Sequence, residues 1–471
     1  MNAHDLDYFL SILSEKGVIT NQQDRAPYET GWRGEKGSAC AILRPETTEQ
    51  VSKVVAYCTK HNIHIIPQSG NTGLVAASSP NDDGMQVILN LERMNRISEL
   101  DPINNSIQAG AGVRLSALNA ACEPHDMFFP IDLSADPCIG GMIATNTGGS
   151  RFVKYRGVRE HLLGIKAVLA DQDGTIIDIL SPIHKNNTGL DTKQLFVGTG
   201  GLFGVITEAV LRLSPTPKQS ATALLIPTAR EHISTVLNII EQKCGVYLSA
   251  FEGMSGQAIK AAFAHSASLT SPFGQEDIPE YAILLELSRD WNYRESEQTL
   301  DEVLENVLAD IWERNDAPLS NALIGDPEKL WALRHALSEG VQKSGKLFAF
   351  DLSFKRGDVM EFISFMQDRL SQDYPELSIC DFGHIGDGAI HFNLILNAQD
   401  ERAKNKQYET NLRDMVIDNV VNKFNGSFSA EHGLGRINQR FFDTYTPNEI
   451  KSLTRMIKEA VAPGAISAIR I

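Results

Sequence analysis

Three glycine-rich segments, each next to an apolar strand-like run, limit most strongly what the N-terminal part of the chain can fold into. They are QSGNTGL (68–74), CIGGMIATNTGG (138–149) and FVGTGGLFGVIT (196–207). Glycine loops beside strands are how α/β proteins bring backbone N–H groups close to a phosphate. None of them is G-x-G-x-x-G with an acid about 20 residues later, which disfavours a nicotinamide-binding fold, and none is a P-loop. The pattern predicts a phosphate-bearing ligand held by backbone N–H groups.

A long amphipathic helix is predicted within RPETTEQVSKVVAYCTKHN, residues 44–62. Thr47 can accept a hydrogen bond at its start, and Gln50 stands at the third helical position, which makes a capping pair. Its apolar stripe consists of Val51, Val54, Val55 and Cys58. We expect this stripe to face the core.

The pattern changes at SPTPKQS, residues 214–220, which predicts a domain boundary there. Beyond it, strand-like and helix-like runs alternate as far as a helix that ends near Asn425 and Gly426. This alternation favours an antiparallel sheet with helices on one face. The remaining segment, 427–471, contains SFSAEHGLGR and a closing helix.

The bulk composition excludes several functional classes. The chain of 471 residues carries 43 Lys and Arg against 59 Asp and Glu, a formal net charge of −16, which argues against a general nucleic-acid binder. No apolar run approaches the roughly 20 residues of a membrane span, and the start MNAHDLDYFL lacks the basic and apolar regions of a signal peptide. The 6 cysteines show no C-x-x-C spacing, which disfavours structural zinc or iron–sulfur sites. This cysteine usage fits a reducing compartment, so the expected location is cytoplasmic.

The stretch FGHIGDGAIHFN, residues 382–393, predicts a β-hairpin around a Gly-Asp-Gly turn. With residues 386–389 as the loop, His384 lies opposite His391. Side chains alternate along a strand, so Asn393 shares a face with His391 while the apolar residues point the other way. Three polar groups therefore converge on one side, which suits a metal ion or a bound anion.

A third metal ligand would have to come from elsewhere in the chain, and Glu431 in SAEHGLG is the best candidate. Two imidazoles and one carboxylate that leave a position open are typical of a catalytic zinc site rather than a closed structural one. The alternative is that His384 and His391 are hydrogen-bonded histidines lining a domain seam. Glu431 and His432 would then form a helix-entry turn with a capping acid.

Arg334 and Ser338 lie one helical turn apart in WALRHALSEG, residues 331–340. Periodicity alone favours an exposed arginine on an amphipathic helix, because the leucines form the apolar stripe. As a site residue, Arg334 could instead hold a substrate carboxylate through both arms of its guanidinium.

Taken together, these segments resemble the flavin-linked oxidases and dehydrogenases related to vanillyl-alcohol oxidase, in the branch of D-2-hydroxyglutarate and D-lactate dehydrogenases. The matching segments extend from about residue 25 to 440 and are RPETTEQV, PQSGNTGL, PIDLSADPCIGGMIATNTGG, NNTGLDTKQLFVG, GVIT, WALRHALS, GHIGDGAIHFN and SAEHGLG. The resemblance implies an α+β fold with a two-subdomain PCMH-type FAD-binding domain (1–215) and a ferredoxin-like antiparallel-sheet substrate cap domain (216–425). It also implies a C-terminal helical segment (426–471) that packs back on the FAD domain.

The same resemblance assigns roles to individual residues. Noncovalently bound FAD would contact Pro67, Gln68, Ser69, Gly70, Asn71, Thr72, Gly73, Pro130, Asp132, Ile139, Gly140, Gly141, Ala144, Thr145, Gly148, Gly149 and Val205. The metal site would consist of His384, His391 and Glu431, and the substrate site of His432, Arg334, Ser338 and Asn393. His432 would be the general base, and Arg334 and Ser338 would bind the substrate carboxylate.

The implied reaction is oxidation of a D-2-hydroxy acid, such as D-2-hydroxyglutarate or D-lactate, to the 2-oxo acid. Hydride would pass to flavin N5, while a divalent metal, zinc or else manganese or iron, stabilises negative charge on the substrate oxygen. The electrons would pass to an electron-transfer flavoprotein, a quinone or a similar acceptor. Any association with a membrane would be peripheral and would come through this acceptor. The chain could act as a homodimer. Two alternatives stay open: a metal-dependent hydrolase with the same three ligands, and a flavin-binding protein with a degenerate site.

The chain departs from the family pattern at four places, one of which is Met142 in place of a common Asn. Ala349 stands where relatives that take 2-hydroxyglutarate often have lysine, so the second carboxylate of such a substrate lacks that cation here. The usual Ser-Glu-Gly-Thr-Leu-Gly is replaced by TGGLFG at 199–204. The end of the sequence, PGAISAIRI, lacks an Asn-Pro-Gly-Lys motif.

Overall fold

The computed structural model describes residues 2–274 and 276–471, and these form two compact units. The first unit contains the residues up to Gly148 together with Gly157–Thr216 and Glu431–Ile471. The second unit contains Gly149–Arg156 and Pro217–Ala430. The division into 1–215, 216–425 and 426–471 stays a prediction.

Strands and helices alternate along the described residues. The strands are β1 Val18–Ile19, β2 Ala39–Leu43, β3 Ile65–Gln68, β4 Gln86–Asn90, β5 Ser106–Gly110, β6 Met127–Phe128, β7 Leu162–Leu169, β8 Ile176–Ile179, β9 Gly204–Arg212, β10 Ser214–Pro215, β11 Gln219–Pro227, β12 Leu248–Ser255, β13 Tyr281–Arg289, β14 Leu319–Ile324, β15 Lys346–Ser353, β16 Ser378–Ile379, β17 Phe382–Gly383 and β18 Ala389–Leu396. The helices are α1 Ala3–Leu13, α2 Gln22–Glu29, α3 Thr48–Lys60, α4 Leu115–Cys122, α5 Ile139–Thr145, α6 Phe152–Tyr155, α7 Val158–His161, α8 Ile233–Cys244, α9 Gly256–His265, α10 Leu300–Trp312, α11 Pro327–Lys343, α12 Val359–Asp373, α13 Lys406–Asp418, α14 Gln439–Tyr445 and α15 Asn448–Val461. Within 2–274 and 276–471, none of these helices has both the length and the apolar character needed to cross a bilayer.

The first unit contains two four-stranded sheets. In one, β2, β4 and β3 are parallel and β1 pairs antiparallel with β2; in the other, β5, β9, β7 and β8 are antiparallel neighbours. The predicted amphipathic helix is confirmed as α3, since Thr47 Oγ1 accepts the N–H of Gln50 at 3.2 Å and the apolar stripe is fully buried. The helix α3 packs against β7 and β9, which places this stripe in the core of the unit.

The second unit is built on an antiparallel sheet with the strand order β14-β11-β13-β12-β17-β18-β15. One face, which includes Leu284 of β13, packs with α9 and α11. The expected arrangement with helices on one face is wrong, because side chains on the opposite face of β13, such as Leu285, are also fully buried. The helices α8 and α10 pack against β12 and β11. The combination of helices with largely antiparallel sheets confirms the predicted α+β class.

The predicted hairpin exists, but its register differs from the expected one. The strands β17 and β18 pair with Phe382 opposite His391, so the expected pairing of His384 with His391 is wrong. The carbonyl of His384 accepts the N–H groups of Asp387 at 3.0 Å and Ala389 at 3.2 Å. These two bonds widen the loop and move His384 out of the strand.

One face of this sheet carries both His391 and Asn393, because the two residues are two positions apart in β18. Their partners in the neighbouring strand β15 are Asp351 and Ala349. Ile395 of β18 points to the same side and belongs to the apolar cluster formed with α9 and α11. The predicted polar residues therefore lie beside the helices that cover this face.

Candidate active site

The first two glycine-rich segments lie side by side in the first unit. A Cβ added at Gly70 would lie 3.1 Å from the backbone nitrogen of Cys138, and one added at Gly141 would lie 3.0 Å from Ser69 Oγ. Residues with larger side chains do not fit where two backbones come this close. The glycines therefore allow the two segments to form one surface.

The third glycine-rich segment joins this surface through backbone hydrogen bonds. The N–H of Gly198 donates to the carbonyl of Ile143 at 3.1 Å, and the N–H of Gly200 donates to the carbonyl of Ala144 at 2.9 Å. Since Ile143 and Ala144 lie in α5, all three segments border this short helix.

The QSGNTG loop is braced by its own side chains. Gln68 Nε2 donates to two backbone carbonyls at 2.8 Å, and Asn71 Nδ2 donates to a third at 2.8 Å. In the described part of the chain, the N–H groups of residues 69–73 donate to no backbone carbonyl. They are therefore available to an anion, which fits the pyrophosphate of the predicted FAD.

The other predicted FAD contacts lie around the same loops. Pro67 belongs to β3, Ile139, Gly140, Gly141, Ala144 and Thr145 to α5, and Val205 to β9, while Pro130 and Asp132 follow β6. Gly148 is the last residue of its segment in the first unit, whereas Gly149 opens a segment of the second unit. The first unit thus contains all of the predicted FAD contacts except Gly149.

The segment that returns to the first unit packs on the QSGNTG region. A Cβ added at Gly435 would lie 2.3 Å from the carbonyl oxygen of Val75. The guanidinium of Arg436 donates to the carbonyl of Pro80 and, at 3.0 Å, to Ser79 Oγ. The glycine and arginine of the SAEHGLGR motif therefore fix this segment beside the predicted phosphate loop.

Glu431 and His432 open the returning segment. The helix-entry interpretation of these two residues is wrong, because the next helix, α14, begins at Gln439 and has Asn438 at its N-cap. His432 Nε2 lies 3.8 Å from Glu431 Oε1. The two side chains are therefore neighbours that a single ligand could contact.

His384 and His391 come together in the second unit despite the shifted register. Their ring centroids are 5.3 Å apart, and the ring planes are inclined at 79°. His391 Nδ1 lies 4.0 Å from Asp351 Oδ1, on the opposite residue of the ladder. The two imidazole rings are therefore neighbours in the second unit.

Glu252 on β12 joins His384 to Arg334. Its Oε1 accepts a hydrogen bond from His384 Nδ1 at 2.8 Å, and its Oε2 accepts from Nε and Nη2 of Arg334 at 2.8 and 2.6 Å. Burial opposes ionisation of this carboxyl, but His384 and Arg334 outweigh burial and hold the pKa of Glu252 below its ordinary value. Glu252 is therefore an anion at neutral pH.

The structure separates the two residues predicted to bind a carboxylate. Arg334 is only 6% exposed, so its interpretation as a surface residue is wrong, whereas Ser338 one turn further along α11 is exposed. Because Glu252 accepts the Nε–H and one N–H of Nη2 of Arg334, the two N–H groups of Nη1 and the second N–H of Nη2 are left to meet a ligand. Asn393 is buried, and its Nδ2 donates to the carbonyl of His391 at 3.2 Å, which leaves Oδ1 to face a ligand.

Three buried acids on strands of the second unit, Glu252, Asp351 and Glu286, were not predicted. Glu286 on β13 binds Arg151 through both carboxylate oxygens, at 2.8 and 2.9 Å. Each acid interrupts an otherwise apolar strand, where a charge is costly unless it is paired. An acid within an apolar strand therefore indicates in the sequence that a buried cation or hydrogen-bond donor pairs with it. It does not indicate which residue supplies that group.

The donor atoms of the histidine pair fit a divalent metal. Because His384 Nδ1 donates to Glu252, its Nε2 carries the lone pair that a metal requires. Imidazole nitrogens together with a carboxylate suit zinc, and they also accept manganese or iron. His384, His391 and Glu431 thus have the right chemistry for the predicted metal, whose binding stays a prediction.

Comparison with known protein families shows which family the chain belongs to. Residues 39–180 match the family model of the FAD binding domain, and residues 216–467 match that of the C-terminal domain of FAD linked oxidases. The chain belongs to the FAD-linked oxidase family. An FAD-linked oxidase must hold a pyrophosphate, and the N–H groups of residues 69–73 suit that purpose.

Individual relatives agree with this family. This FAD-linked oxidase is 31% identical over 463 residues to D-2-hydroxyglutarate dehydrogenase, mitochondrial, of Bos taurus, over 95% of the chain and 80% of the relative. It is 30% identical over 454 residues to the D-2-hydroxyglutarate–pyruvate transhydrogenase of Saccharomyces cerevisiae, over 92% of the chain and 87% of the relative. Because the bovine relative is named mitochondrial, the predicted cytoplasmic location stays a prediction.

A solved structure shows the fold of this FAD-linked oxidase in another enzyme. The crystal structure of p-cresol methylhydroxylase with bound substrate aligns with a TM-score of 0.73 over 98% of this chain and 94% of that chain, at 17% identity. At this identity the likeness concerns the fold alone. The predicted PCMH-type fold is confirmed.

Proposed function

We propose that the chain is an FAD-dependent dehydrogenase that oxidises a D-2-hydroxy acid to the corresponding 2-oxo acid. The observation that carries this proposal is the 31% identity to a D-2-hydroxyglutarate dehydrogenase over 95% of the chain. The second unit supports it, because Arg334 and the two histidines offer positive charge and metal-binding nitrogens to a small hydroxy acid.

The first unit is the proposed FAD site. When bound, FAD supplies the acceptor for the hydride from the substrate α-carbon. The backbone N–H groups of residues 69–73 and the glycines of α5 hold the pyrophosphate. Binding is noncovalent in this proposal, so denaturation should release the flavin into solution.

His384, His391 and Glu431 are the proposed metal ligands. Ala430, the neighbour of Glu431 in the chain, donates its N–H to the carbonyl of Asp351 at 3.2 Å, and Asp351 stands opposite His391. Glu431 enters this set through its place in the SAEHGLG motif. When bound, zinc, or else manganese or iron, supplies positive charge that makes the substrate hydroxyl easier to deprotonate.

His432 is the proposed general base for the hydroxyl proton, since a neutral imidazole has a ring nitrogen that can accept a proton. Arg334 holds the substrate carboxylate through Nη1, while Glu252 fixes the other edge of the guanidinium. Fixing the carboxylate orients the α-carbon and lowers the entropic part of the barrier. Asn393 offers its amide oxygen to the substrate, and Ser338 meets a carboxylate only from the exposed side of α11.

The reduced flavin must pass two electrons on before the next turnover. We propose an electron-transfer flavoprotein, a quinone or a similar two-electron acceptor for this step. A cytoplasmic location and a homodimeric state complete the proposal.

The test of the function is an anaerobic titration of the flavin-loaded protein with D- and L-lactate, D- and L-2-hydroxyglutarate and D-malate. We expect one D-acid to bleach the visible flavin band, because hydride transfer reduces the flavin. The L-isomer of that acid should leave the band unchanged. A band that no D-acid bleaches would overturn the proposed dehydrogenase.

The same titration after dialysis against a chelator tests the metal. We expect the flavin band to persist and bleaching to slow by a factor on the order of 100 or more, since the metal contributes several kcal/mol. Added zinc or manganese should restore the rate. Unchanged bleaching in protein shown to be metal-free would remove the metal from the proposal and leave the flavin chemistry standing.

A further inference from the structure

Two buried glutamates stand on neighbouring strands of the second unit, and each binds an arginine. Glu252 on β12 binds Arg334, and Glu286 on β13 binds Arg151. The two sites differ in their remaining contacts. Glu252 contacts His384, whereas the other hydrogen bonds to Glu286 come from a serine hydroxyl and an indole N–H.

The contact with Glu252 determines which nitrogen of His384 carries the proton. A carboxylate whose other oxygen is bound by a buried guanidinium can only accept hydrogen bonds. Because Glu252 Oε1 lies 2.8 Å from His384 Nδ1, the proton belongs on Nδ1 and the lone pair on Nε2. The same bond holds the ring plane, and with it the direction in which Nε2 points.

The second oxygen of Glu252 does the same for Arg334. Oε2 lies 2.8 Å from Nε and 2.6 Å from Nη2, so the guanidinium cannot turn about its last side-chain bond without breaking both contacts. With side chains 1% and 7% exposed, both charges of this pair are out of water. The two side chains of such a pair stay in place, because separating them would leave an unpaired buried charge.

We propose that Glu252 is a positioning residue of the hydroxy-acid site, where a single carboxylate fixes both the metal ligand His384 and the carboxylate-binding Arg334. This inference rests on the proposed function, which gives those two residues their roles. It makes metal binding and substrate binding depend on one side chain. Loss of Glu252 therefore weakens both, while loss of Glu286 weakens neither.

The experiment compares Glu252→Gln with Glu286→Gln. Both substitutions replace a buried, arginine-bound carboxylate by an amide of the same shape, on adjacent strands. Flavin-loaded, metal-free protein is titrated with zinc, and KM is then measured with the D-acid that bleaches the wild type. For Glu252→Gln we expect zinc affinity to fall about 10- to 100-fold, as for other outer partners of metal-binding histidines, together with a raised KM. Glu286→Gln should match the wild type in both.

Two outcomes would overturn the inference. Zinc affinity and KM of Glu252→Gln equal to those of the wild type would show that Glu252 positions neither residue. Equal losses in both variants would show a general effect of removing a buried charge.

A second measurement tests the hydrogen bond between His384 and Glu252 in the absence of metal and substrate. In metal-free protein with ¹⁵N-labelled histidine, the ¹⁵N chemical shifts of His384 should show the proton on Nδ1 in the wild type and in Glu286→Gln, and a loss of that preference in Glu252→Gln. A wild-type proton on Nε2 would overturn the inference. Wild-type protein that binds no zinc would instead overturn the metal in the proposed function, and the ¹⁵N shifts would still decide whether Glu252 orients His384.

A double variant covers the case in which Glu252→Gln fails to fold because the charge of Arg334 is left buried. Glu252→Gln combined with Arg334→Gln removes both charges, so that no buried ion is left unpaired. We expect this protein to bind zinc about 10- to 100-fold more weakly than the wild type. Wild-type zinc affinity in the double variant would overturn the inference.

Discussion

At the scale of single residues, the Glu286 carboxylate shows how much one buried charge depends on its partners. Arg151 meets it at 2.8 and 2.9 Å, and Ser249 Oγ and Trp331 Nε1 each donate at 2.7 Å. Burial raises the pKa of Glu286, but Arg151 and the two neutral donors outweigh burial and hold it below its ordinary value. The network thus keeps Glu286 ionised inside the second unit.

Substitution Glu286→Gln should change how the stability of the protein depends on pH. Below about pH 4.5, the ordinary pKa of a glutamate, the unfolded chain takes up a proton that the folded chain still excludes. Stability that this group contributes is therefore present above that pH and is lost as pH falls through the lower folded pKa. We expect Glu286→Gln to lose on the order of 3 kcal/mol at pH 7, and this loss should shrink only as pH falls below about 4.5.

Thermal unfolding at a series of pH values measures this effect. The difference in Tm between the wild type and Glu286→Gln should stay constant from pH 7 down to about pH 4.5 and narrow as pH falls further. The matched control is Glu305→Gln on the exposed side of α10, which should follow the wild type throughout. A Tm difference that stays constant below about pH 4.5 as well would contradict the assignment of Glu286 as an ionised partner of Arg151.

At this scale, sequence-based prediction is limited by how far apart in the sequence two contacting residues lie. His384, His391 and Arg334 were predicted as site residues because motifs of a few residues contain them. Glu252 was not, since its partners stand 132 and 82 residues away in the chain. A buried acid can be recognised from its apolar strand, but only the fold shows which cation it meets.

At the scale of secondary structure elements, α5 is held in place by a contact that tolerates no side chain. A Cβ added at Gly140 would lie 2.6 Å from Ala111 Cβ and 3.1 Å from the Ala111 carbonyl oxygen. The neighbouring Gly141 faces Ser69 of the phosphate loop. The position of α5 therefore sets the position of the proposed pyrophosphate site.

Substitution Gly140→Ala should weaken flavin binding. Alanine favours a helix over glycine by up to about 1 kcal/mol, but forcing a methyl group into this contact costs about 1–3 kcal/mol, so the steric term wins. We expect a lower Tm and less bound FAD after purification. Flavin content is measured by absorbance of the denatured, filtered protein.

The control for this substitution is Gly357→Ala, because an added Cβ there meets no atom within 4 Å. That variant should keep the wild-type flavin content and Tm. Full flavin occupancy and an unchanged Tm in Gly140→Ala would show that α5 can move without disturbing the cofactor site.

Prediction of elements succeeded where the determinants are local. The cap and stripe of α3 lie within a dozen residues, and both are present as expected. The hairpin register was wrong because the His384 carbonyl binds two N–H groups of the loop, a choice that the Gly-Asp-Gly sequence leaves open. The second helical layer was missed since a strand buried on both faces, such as β13, has no polar alternation to reveal it.

At the scale of the whole molecule, both units are assembled from separate stretches of chain. Gly149–Arg156 belongs to the second unit although the residues on either side of it belong to the first. Arg151 binds Glu286, and Lys154 Nζ binds Asp290 at 3.0 Å, which explains this membership. The pattern change at 214–220 was visible in the sequence. The membership of Gly149–Arg156 in the second unit was not, because the residues that Arg151 and Lys154 bind lie about 135 residues further along the chain.

Reconstitution with FAD should protect the first unit selectively. A ligand that binds only the folded state stabilises it by about 2.7 kcal/mol at 100 times its Kd. Hydrogen exchange of flavin-free and flavin-loaded protein should therefore differ most in peptides covering 68–74 and 138–145. Peptides of β13, which lies in the middle of the other unit's sheet, serve as the internal control. Equal protection of both sets of peptides, or none in the loops, would contradict the proposed cofactor site.

The last residues of the chain complete a sheet that begins near its start. Ile65 of β3 bridges to Ile466, and His64 Nε2 contacts the carbonyl of Ser467 at 2.7 Å, across 403 residues of sequence. On a ribosome that adds roughly 5–20 residues per second, translation of Pro217–Ala430 alone takes on the order of 10–40 seconds. During that interval β3 has an uncovered edge, and such edges are where nascent chains pair with one another. The unit translated first is therefore the last to close, and its early strands stay open to such pairing until the chain is finished.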